Sequence, residues 1–318
     1  MFNYDKTALD QIASKTGFIR DNLEKVLRLL DVLDYINSNE FLSEKGLPSK
    51  AELQLILLFF DLPRLSVDID LDFCKECSRE EMLKDREKIE QTLTRYMRAS
   101  GYLPDTRKQK EVHALSSWVF VYTNCGGNKD NLKIEINYSM RNHILPIVSK
   151  KITVDFLNVE NEIKTLAKPE LFASKIKALL ERTATRDLYD VHNMIDKNII
   201  KDSQRDILRK RVVFYQTVGS TGKFIEAINY NEFDNLSYAK VRKTLTPLLK
   251  KNENIQLDTM KSEVKEYLQD LLQFTMNENE YIDSFAKGIY SPELLFDNQD
   301  IIKRVANHPM AIWKVSNI

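Results

Sequence analysis

Two aspartates, Asp68 and Asp70, stand in a segment where Leu65, Val67, Ile69, Leu71 and Phe73 alternate with Ser66, Asp68, Asp70 and Asp72. Apolar and polar positions alternating with period two are the pattern of a half-buried strand. On such a strand residues i and i+2 project from one face, which sets the two carboxylates side by side at roughly 7 Å. Like charges so placed repel, and aspartate is a poor strand former. A hard divalent cation such as Mg²⁺, which seeks oxygen ligands, resolves the conflict; the solvated face of an edge strand is the other reading. A second segment, Leu132 to Tyr138, carries Glu135 at its centre, with Lys133 and Asn137 on the same face. If that strand pairs beside the acidic one, Glu135 becomes the third carboxylate of a two-metal site. Such a site stabilises both the attacking and the leaving oxygen in phosphoryl-type transfer. Standing apart, Glu135 is a salt-bridged surface residue.

A second group of charges follows Pro169. Phe172, Ile176, Leu179 and Leu180 make the buried stripe of a helix on which Lys175 and Arg182, seven residues apart, share a face suited to a triphosphate. The run from Thr183 to Asp190 then packs Arg186, Asp187 and Asp190 into a turn and a helix start, with Arg186 and Asp190 at the i,i+4 spacing of a simple ion pair. Arg205, Arg209, Lys210 and Arg211 place four cations within seven positions. Arg107, Lys108 and Lys110 form a smaller basic group. Either can neutralise RNA phosphates without reading sequence, and either is also what a solvated helix or turn looks like.

The elements that would hold these residues can be read from periodicity. Helices are expected over residues 7 to 37, with a break at Thr16-Gly17, over Lys50 to Phe60, and over residues 79 to 98. Strands are expected at Ser117 to Tyr122 and Leu132 to Tyr138, joined by the hairpin signal Asn124-Cys-Gly-Gly-Asn128, with a short one at Lys151 to Phe156. Pro169 opens a helix through Arg182, and Thr185 is placed to cap one starting at Arg186. From about residue 200 the pattern is helical almost to the end. The fold class is α+β, a small mixed sheet among helices with a mostly helical C-terminal half. The expected division is residues 1–165, an α+β domain with N-terminal helices, and 166–318, a helical domain completing the site.

Totals narrow the classes further. The 318 residues are 43% hydrophobic and 30% charged, enough for a well-buried core, and 8 Gly and 8 Pro argue against disorder. With 47 basic and 47 acidic residues no global charge draws the chain to polyanions, so any nucleic-acid contact must be local. Three cysteines cannot all pair, which fits a reducing compartment. Cys74 and Cys77 form a CxxC that lacks the second ligand pair of a zinc site and the helix start of a redox site. With no apolar leader and no stretch of transmembrane length, a cytoplasmic protein is expected.

Taken together, Arg64-Leu-Ser66-Val-Asp68-Ile-Asp70-Leu-Asp72 and the later Glu135 strand resemble the core of the AbiEii/AbiGii nucleotidyltransferase toxins. The stretch Lys175 to Arg182 and the Arg186-Asp187-Leu-Tyr-Asp190 element are similar to that family's later basic and Arg-Asp motifs. Tyr290-Ser-Pro292-Glu293-Leu-Leu-Phe296 and Asn307-His308-Pro309-Met310 are similar to its tails. The resemblance implies a DNA polymerase β-like nucleotidyltransferase fold and a type IV toxin–antitoxin or phage-defence role. It also implies a nucleoside triphosphate bound with Mg²⁺, an RNA acceptor such as tRNA, and a cognate antitoxin. By position, Asp68, Asp70 and Glu135 would be the metal-holding catalytic carboxylates. Ser66, Lys175 and Arg182 would belong to the nucleotide site, and Asp187 or Asp190 would sit near the base or orient the lysine. One motif departs. Where the family places Lys-Gly-Gly-Thr or a Gly-Ser, this chain reads Lys50-Ala51-Glu52-Leu53. Glycines let backbone N–H groups approach a triphosphate closely, whereas Glu52 brings negative charge. A catalytically impaired relative acting as a nucleotide- or RNA-binding module is therefore the alternative.

Overall fold

The computed structural model describes residues 5–49, 63–112, 114–154, 159–219 and 228–318. The expected Lys50 to Phe60 helix, the Ala51-Glu52-Leu53 motif and the end of the strand ending at Phe156 lie outside the described residues. The chain divides into two compact units: residues 1–141, 147–165 and 248–253 form the first, and residues 142–146, 166–247 and 254–318 the second.

The first unit opens with α1 (Lys6–Thr16), α2 (Arg20–Ser38) and the short α3 (Glu40–Glu44). Gly17 ends α1 with φ of +81°, the left-handed cap that a residue without Cβ adopts at no steric cost, and its N–H closes on the Ala13 carbonyl. The acidic strand β1 (Asp68–Asp72) follows, then α4 (Arg79–Ala99). A reciprocal capping box starts α4: Ser78 Oγ accepts from the Glu81 N–H, and Glu81 returns a carboxylate oxygen to the Ser78 N–H. The sheet is completed by β2 (Leu103–Pro104), β3 (Lys110–Val112), β4 (Leu115–Thr123) and β5 (Lys129–Asn137), in the order β1-β5-β4-β2, with β3 also on β4. It is mixed: β1 runs parallel to β5, and β4 is antiparallel to β5. The hairpin between β4 and β5 turns where expected, with Asn124 Oδ1 accepting from the N–H groups of Gly126 and Asn128 and Gly127 at φ +84°.

Ile69, Leu71, Ile134, Ile136, Trp118 and Phe120 point to one face of this sheet and are buried together with Leu23, Leu27 and Leu30 of α2 and Ile89, Leu93 and Met97 of α4. Each such aliphatic side chain contributes about 1.5–3 kcal/mol by leaving water. That burial fixes the register, because a one-residue slip of β1 would send Asp68 and Asp70 into the core.

A second hairpin, β6 (Val148–Val154) with β7 (Val159–Thr165), extends beyond the expected single strand. The missed strand, Val-Glu-Asn-Glu-Ile-Lys-Thr, does alternate, but its polar residues dominate the pattern. Ser49 bridges this hairpin and the acidic strand, pairing with Thr165 on one side and Leu71 on the other.

The second unit contains α5 (Lys168–Arg182), α6 (Thr185–Asp196), α7 (Arg205–Gly219), α8 (Tyr238–Thr244), α9 (Leu257–Leu271), α10 (Met276–Ala286), α11 (Gln299–Ala306) and α12 (Pro309–Val315) among its described residues. Pro169 sits in the first turn of α5, as expected. Thr185 does not cap α6. It is already helical, Ala184 holds the cap position without a side-chain bond, and the Thr185 hydroxyl lies 2.6 Å from that of Thr244. Glu170 is fully buried at the start of α5, where it accepts from the N–H groups of Ile144 (2.8 Å) and Leu145 (3.0 Å) and from the Tyr215 hydroxyl, beside His143. Burial pushes this carboxyl up, but His143, Tyr215 and the Leu145 N–H outweigh it and hold it below its usual range. Its ionised form therefore stabilises the fold above the unfolded-state value of about 4.3, and that stability is lost as the pH falls through the depressed folded value. Glu170→Gln is expected to cost about 1–3 kcal/mol at pH 7 and to flatten the acid limb of a stability-versus-pH curve measured by urea unfolding. An unchanged acid limb would remove Glu170 as its source.

Candidate active site

Parallel pairing sets Asp70 opposite Glu135 and Asp68 opposite Lys133, while antiparallel pairing sets Ser117 against Glu135 from the other side. The two expected strands are thus neighbours, and the carboxylates share one half-buried face. Lys133 Nζ donates to Glu135 Oε2 at 2.7 Å. Burial pushes Glu135 up, but Lys133, Ser117 and a hydrogen bond with Asp70 outweigh it and hold Glu135 below the usual glutamate range. Burial likewise pushes Lys133 down, and Glu135, Asp68 and Asp70 together raise it above the usual lysine range. Asp70 and Glu135 therefore meet within hydrogen-bonding reach, and one lysine serves three carboxylates. Two carboxyl groups in contact need a shared proton or a cation between them. Asp72, the last acid of the alternating row, differs: it is buried, next to the Pro48 segment whose carbonyl accepts its N–H.

The donor set fits a hard divalent cation in type and in charge, since every candidate ligand is a carboxylate oxygen and the group carries excess negative charge. Among the described residues no three His, Cys, Asp or Glu side chains converge as a ready-made cage. The fit is one of donor chemistry, centred on the Asp70–Glu135 contact.

In the helical unit, α5 ends at Thr183 with φ of +45°, a left-handed turn that sends the chain straight into α6. This returns Asp187, in the first turn of α6, to the flank of α5. Lys175 Nζ lies 3.0 Å from Asp187 Oδ1 and 2.9 Å from Asp190 Oδ2. Arg182 closes on the same Asp187 through Nε (2.6 Å) and Nη2 (2.9 Å), a fork on one carboxylate. Both aspartates and Lys175 are buried, whereas the Arg182 side chain is 56% exposed. Lys175 and Arg182 do share a face, and here that face meets two carboxylates of the same chain. Ser66 is buried just before β1.

The 205–211 group is not a bare basic face. Arg205 pairs with Asp270, Arg209 with Asp206 and Glu278, and Lys210 with Asp297, while Arg211 is buried with Nη1 on the Ile207 carbonyl. Asp270 and Glu278 lie on other helices, Asp297 just before α11 and Asp206 one turn away, so the basic run alone could not reveal them. Cys74, Cys77 and Cys125 are free thiols. Burial and Glu24 push Cys125 up to about 11, which keeps it unreactive.

The family model described as "Nucleotidyl transferase AbiEii toxin, Type IV TA system" matches residues 55–287. The chain belongs to this family. It is accordingly a nucleotidyltransferase toxin of the AbiEii kind, and the acidic strand, its β5 partner and the Lys175–Asp190 cluster all fall inside the matched span. No curated protein matches the chain by sequence. Among solved structures it is similar to MenT4, a nucleotidyltransferase toxin from Mycobacterium tuberculosis H37Rv, at 12% identity and a TM-score of 0.60, over 96% of this chain and 99% of that one. At that identity the likeness is one of fold, and the fold agrees with the mixed sheet among helices expected above. Lys133 and Ser117, the partners of Glu135, were not singled out as site residues from sequence. Their signal was available for Lys133, two positions from Glu135 on the same strand face. Ser117 comes from a strand whose register only pairing decides. No helix among the described residues is long and apolar enough to cross a membrane.

Proposed function

We propose that this AbiEii chain is a Mg²⁺-dependent enzyme of the cytoplasm that transfers a nucleotide from a nucleoside triphosphate to the 3′ end of an RNA, with tRNA as acceptor, under the control of a cognate antitoxin. The observation that carries this reading is the meeting of Asp70 with Glu135, with Asp68 and Lys133 beside them. Asp68, Asp70 and Glu135 are the residues that would hold the metal, which when bound would screen the phosphates and favour the ionised 3′ hydroxyl. In the reaction the 3′ oxygen forms a bond to the α-phosphorus, the bond from that phosphorus to the bridging oxygen breaks, and pyrophosphate leaves. The hydroxyl proton passes to a carboxylate of the set. Arg182, exposed at the end of α5, is assigned to the phosphates, with Ser66 in the nucleotide site. Lys175 shares the phosphate role, oriented by Asp187 and Asp190. Residues 1–165 are proposed as the catalytic α+β domain and 166–318 as the helical domain that supplies the nucleotide-binding cations.

The direct test incubates the purified chain with total tRNA, Mg²⁺ and each labelled nucleoside triphosphate in turn, with a chelator control. Label is expected to enter RNA with one nucleotide and to vanish on chelation. If folded protein binds a nucleotide by calorimetry yet transfers none, the reading gives way to the binding module that Ala51-Glu52-Leu53 favours.

A further inference from the structure

Trp118 alternates with Ser117 along β4, so it points to the opposite face of the sheet from Glu135 and Asp70. There it forms the floor of an open cleft of about 520 Å³ between α4 and the turn before β3, whose walls include Gln91, Arg95 and Arg98 of α4 and Gln109. Arg95 and Arg98 are exposed and lie three residues apart, neighbours on one helix face. Neither guanidinium has a carboxylate partner among the described residues. Glu90, the acid in the cleft wall, is already committed to Arg86 Nε at 2.9 Å and to the Ser116 hydroxyl. The exposed Glu87 accepts from the Gln91 side chain. Cations continue past the cleft in both directions. Lys88 is exposed two turns before Arg95, and Lys110 is exposed on β3, while Arg107 and Lys108 share Asp105 in the turn.

We propose that this cleft is the docking surface for the sugar–phosphate backbone of the RNA acceptor, a site separate from the reacting carboxylates. This rests on the reading above that the acceptor is RNA. Three features favour a polymer over a small phosphorylated ligand or an acidic peptide. The cleft is open at its sides, the cations run on beyond it, and the paired guanidinium forks suit phosphate oxygens bidentately. The Gln91 and Gln109 amides add donors and acceptors for sugar hydroxyls and base edges. Among the described residues Arg95 and Arg98 have no acidic partner, unlike the partly exposed Arg205, Arg209 and Lys210, each of which already has its carboxylate.

The test is fluorescence anisotropy of the full chain with labelled tRNA and with labelled single-stranded RNA over a range of salt. Three proteins are compared: the unaltered one, Arg95→Glu/Arg98→Glu, and the charge-matched control Lys287→Glu/Lys303→Glu, whose residues are exposed elsewhere. The cleft variant is expected to lose about tenfold or more in affinity, with its salt slope shallower by about 2, one for each lost phosphate contact. Its melting curve and its nucleotide binding in Mg²⁺, followed by calorimetry, should match the unaltered protein. An unchanged RNA affinity and slope would overturn the proposal. So would an equal loss in the control, or no RNA binding by the unaltered chain. Loss of binding to an acidic peptide or to inorganic phosphate alone would assign the cleft to that ligand instead. Failure of nucleotide binding in the unaltered protein would count against the transferase reading, while the anisotropy still judges the cleft.

Discussion

Asp70→Asn is expected to lower nucleotide transfer by roughly 10²–10³-fold, the scale of losing one electrostatic contact to a transition state, while the chain stays folded. Asparagine keeps the shape of the side chain and removes its charge, so β1 can hold the same register against β5. The variant loses one of the two carboxyl groups, Asp70 and Glu135, that meet across the β1–β5 pair. Without metal it should be about as stable as the unaltered protein, because the asparagine amide can still hydrogen-bond Glu135. With Mg²⁺ the unaltered protein should gain thermal stability by mass action, and the variant should gain little. Transfer within a few-fold of the unaltered rate would remove Asp70 from the chemistry. The pH profile adds a second readout. Glu135 is held below its usual range, so its ionised form persists as the pH is lowered toward ordinary glutamate values, and Lys133→Met should move that acid limb upward. An acid limb that does not move would show that Lys133 is not what keeps Glu135 ionised.

The largest effect on stability is expected in the helical unit. Lys175→Met removes the buried ammonium that lies 2.9 Å from Asp190 and 3.0 Å from Asp187, leaving the Arg182 fork in place on Asp187. Breaking one partner of a buried ion network costs about 3–5 kcal/mol, to be read from the urea midpoint at pH 7. Arg182→Gln offers the contrast. Its side chain is more than half exposed, so removing its charge should cost at most about 1 kcal/mol, yet nucleotide affinity should fall if it meets the phosphates. Stability unaffected by Lys175→Met would mean that the buried aspartates are neutralised some other way. Nucleotide affinity unaffected by Arg182→Gln would take Arg182 out of the site.

Local patterns in the chain were sufficient for much of this. The two-residue alternation around Asp68 and Asp70 placed both carboxylates on the outer face of a strand, because core burial of Ile69 and Leu71 admits only one phase. The Asn124 to Asn128 turn determined that β4 and β5 form a hairpin, since adjacent strands joined by five residues have nowhere else to pair. Pro169 marked the start of α5, and Gly17 the end of α1, through backbone preferences that act within a few residues. Those signals are short-ranged, and short-ranged physics is what a sequence displays.

Tertiary structure decided the rest, because the deciding partners are far apart in the chain. Only the parallel pairing of β1 with β5 sets Asp70 beside Glu135 across 65 positions, and only the β4 register adds Ser117. The basic run from Arg205 to Arg211 looked like a nucleic-acid face until Asp270, Glu278 and Asp297, up to 87 residues away, occupied its cations. Conversely, Arg95 and Arg98 look like ordinary solvated positions of an amphipathic helix and stand out only because they line a cleft with Trp118 and, among the described residues, meet no carboxylate. Charge is written in the sequence, but whether a charge is already neutralised depends on contacts over a few ångströms that the folded chain alone creates.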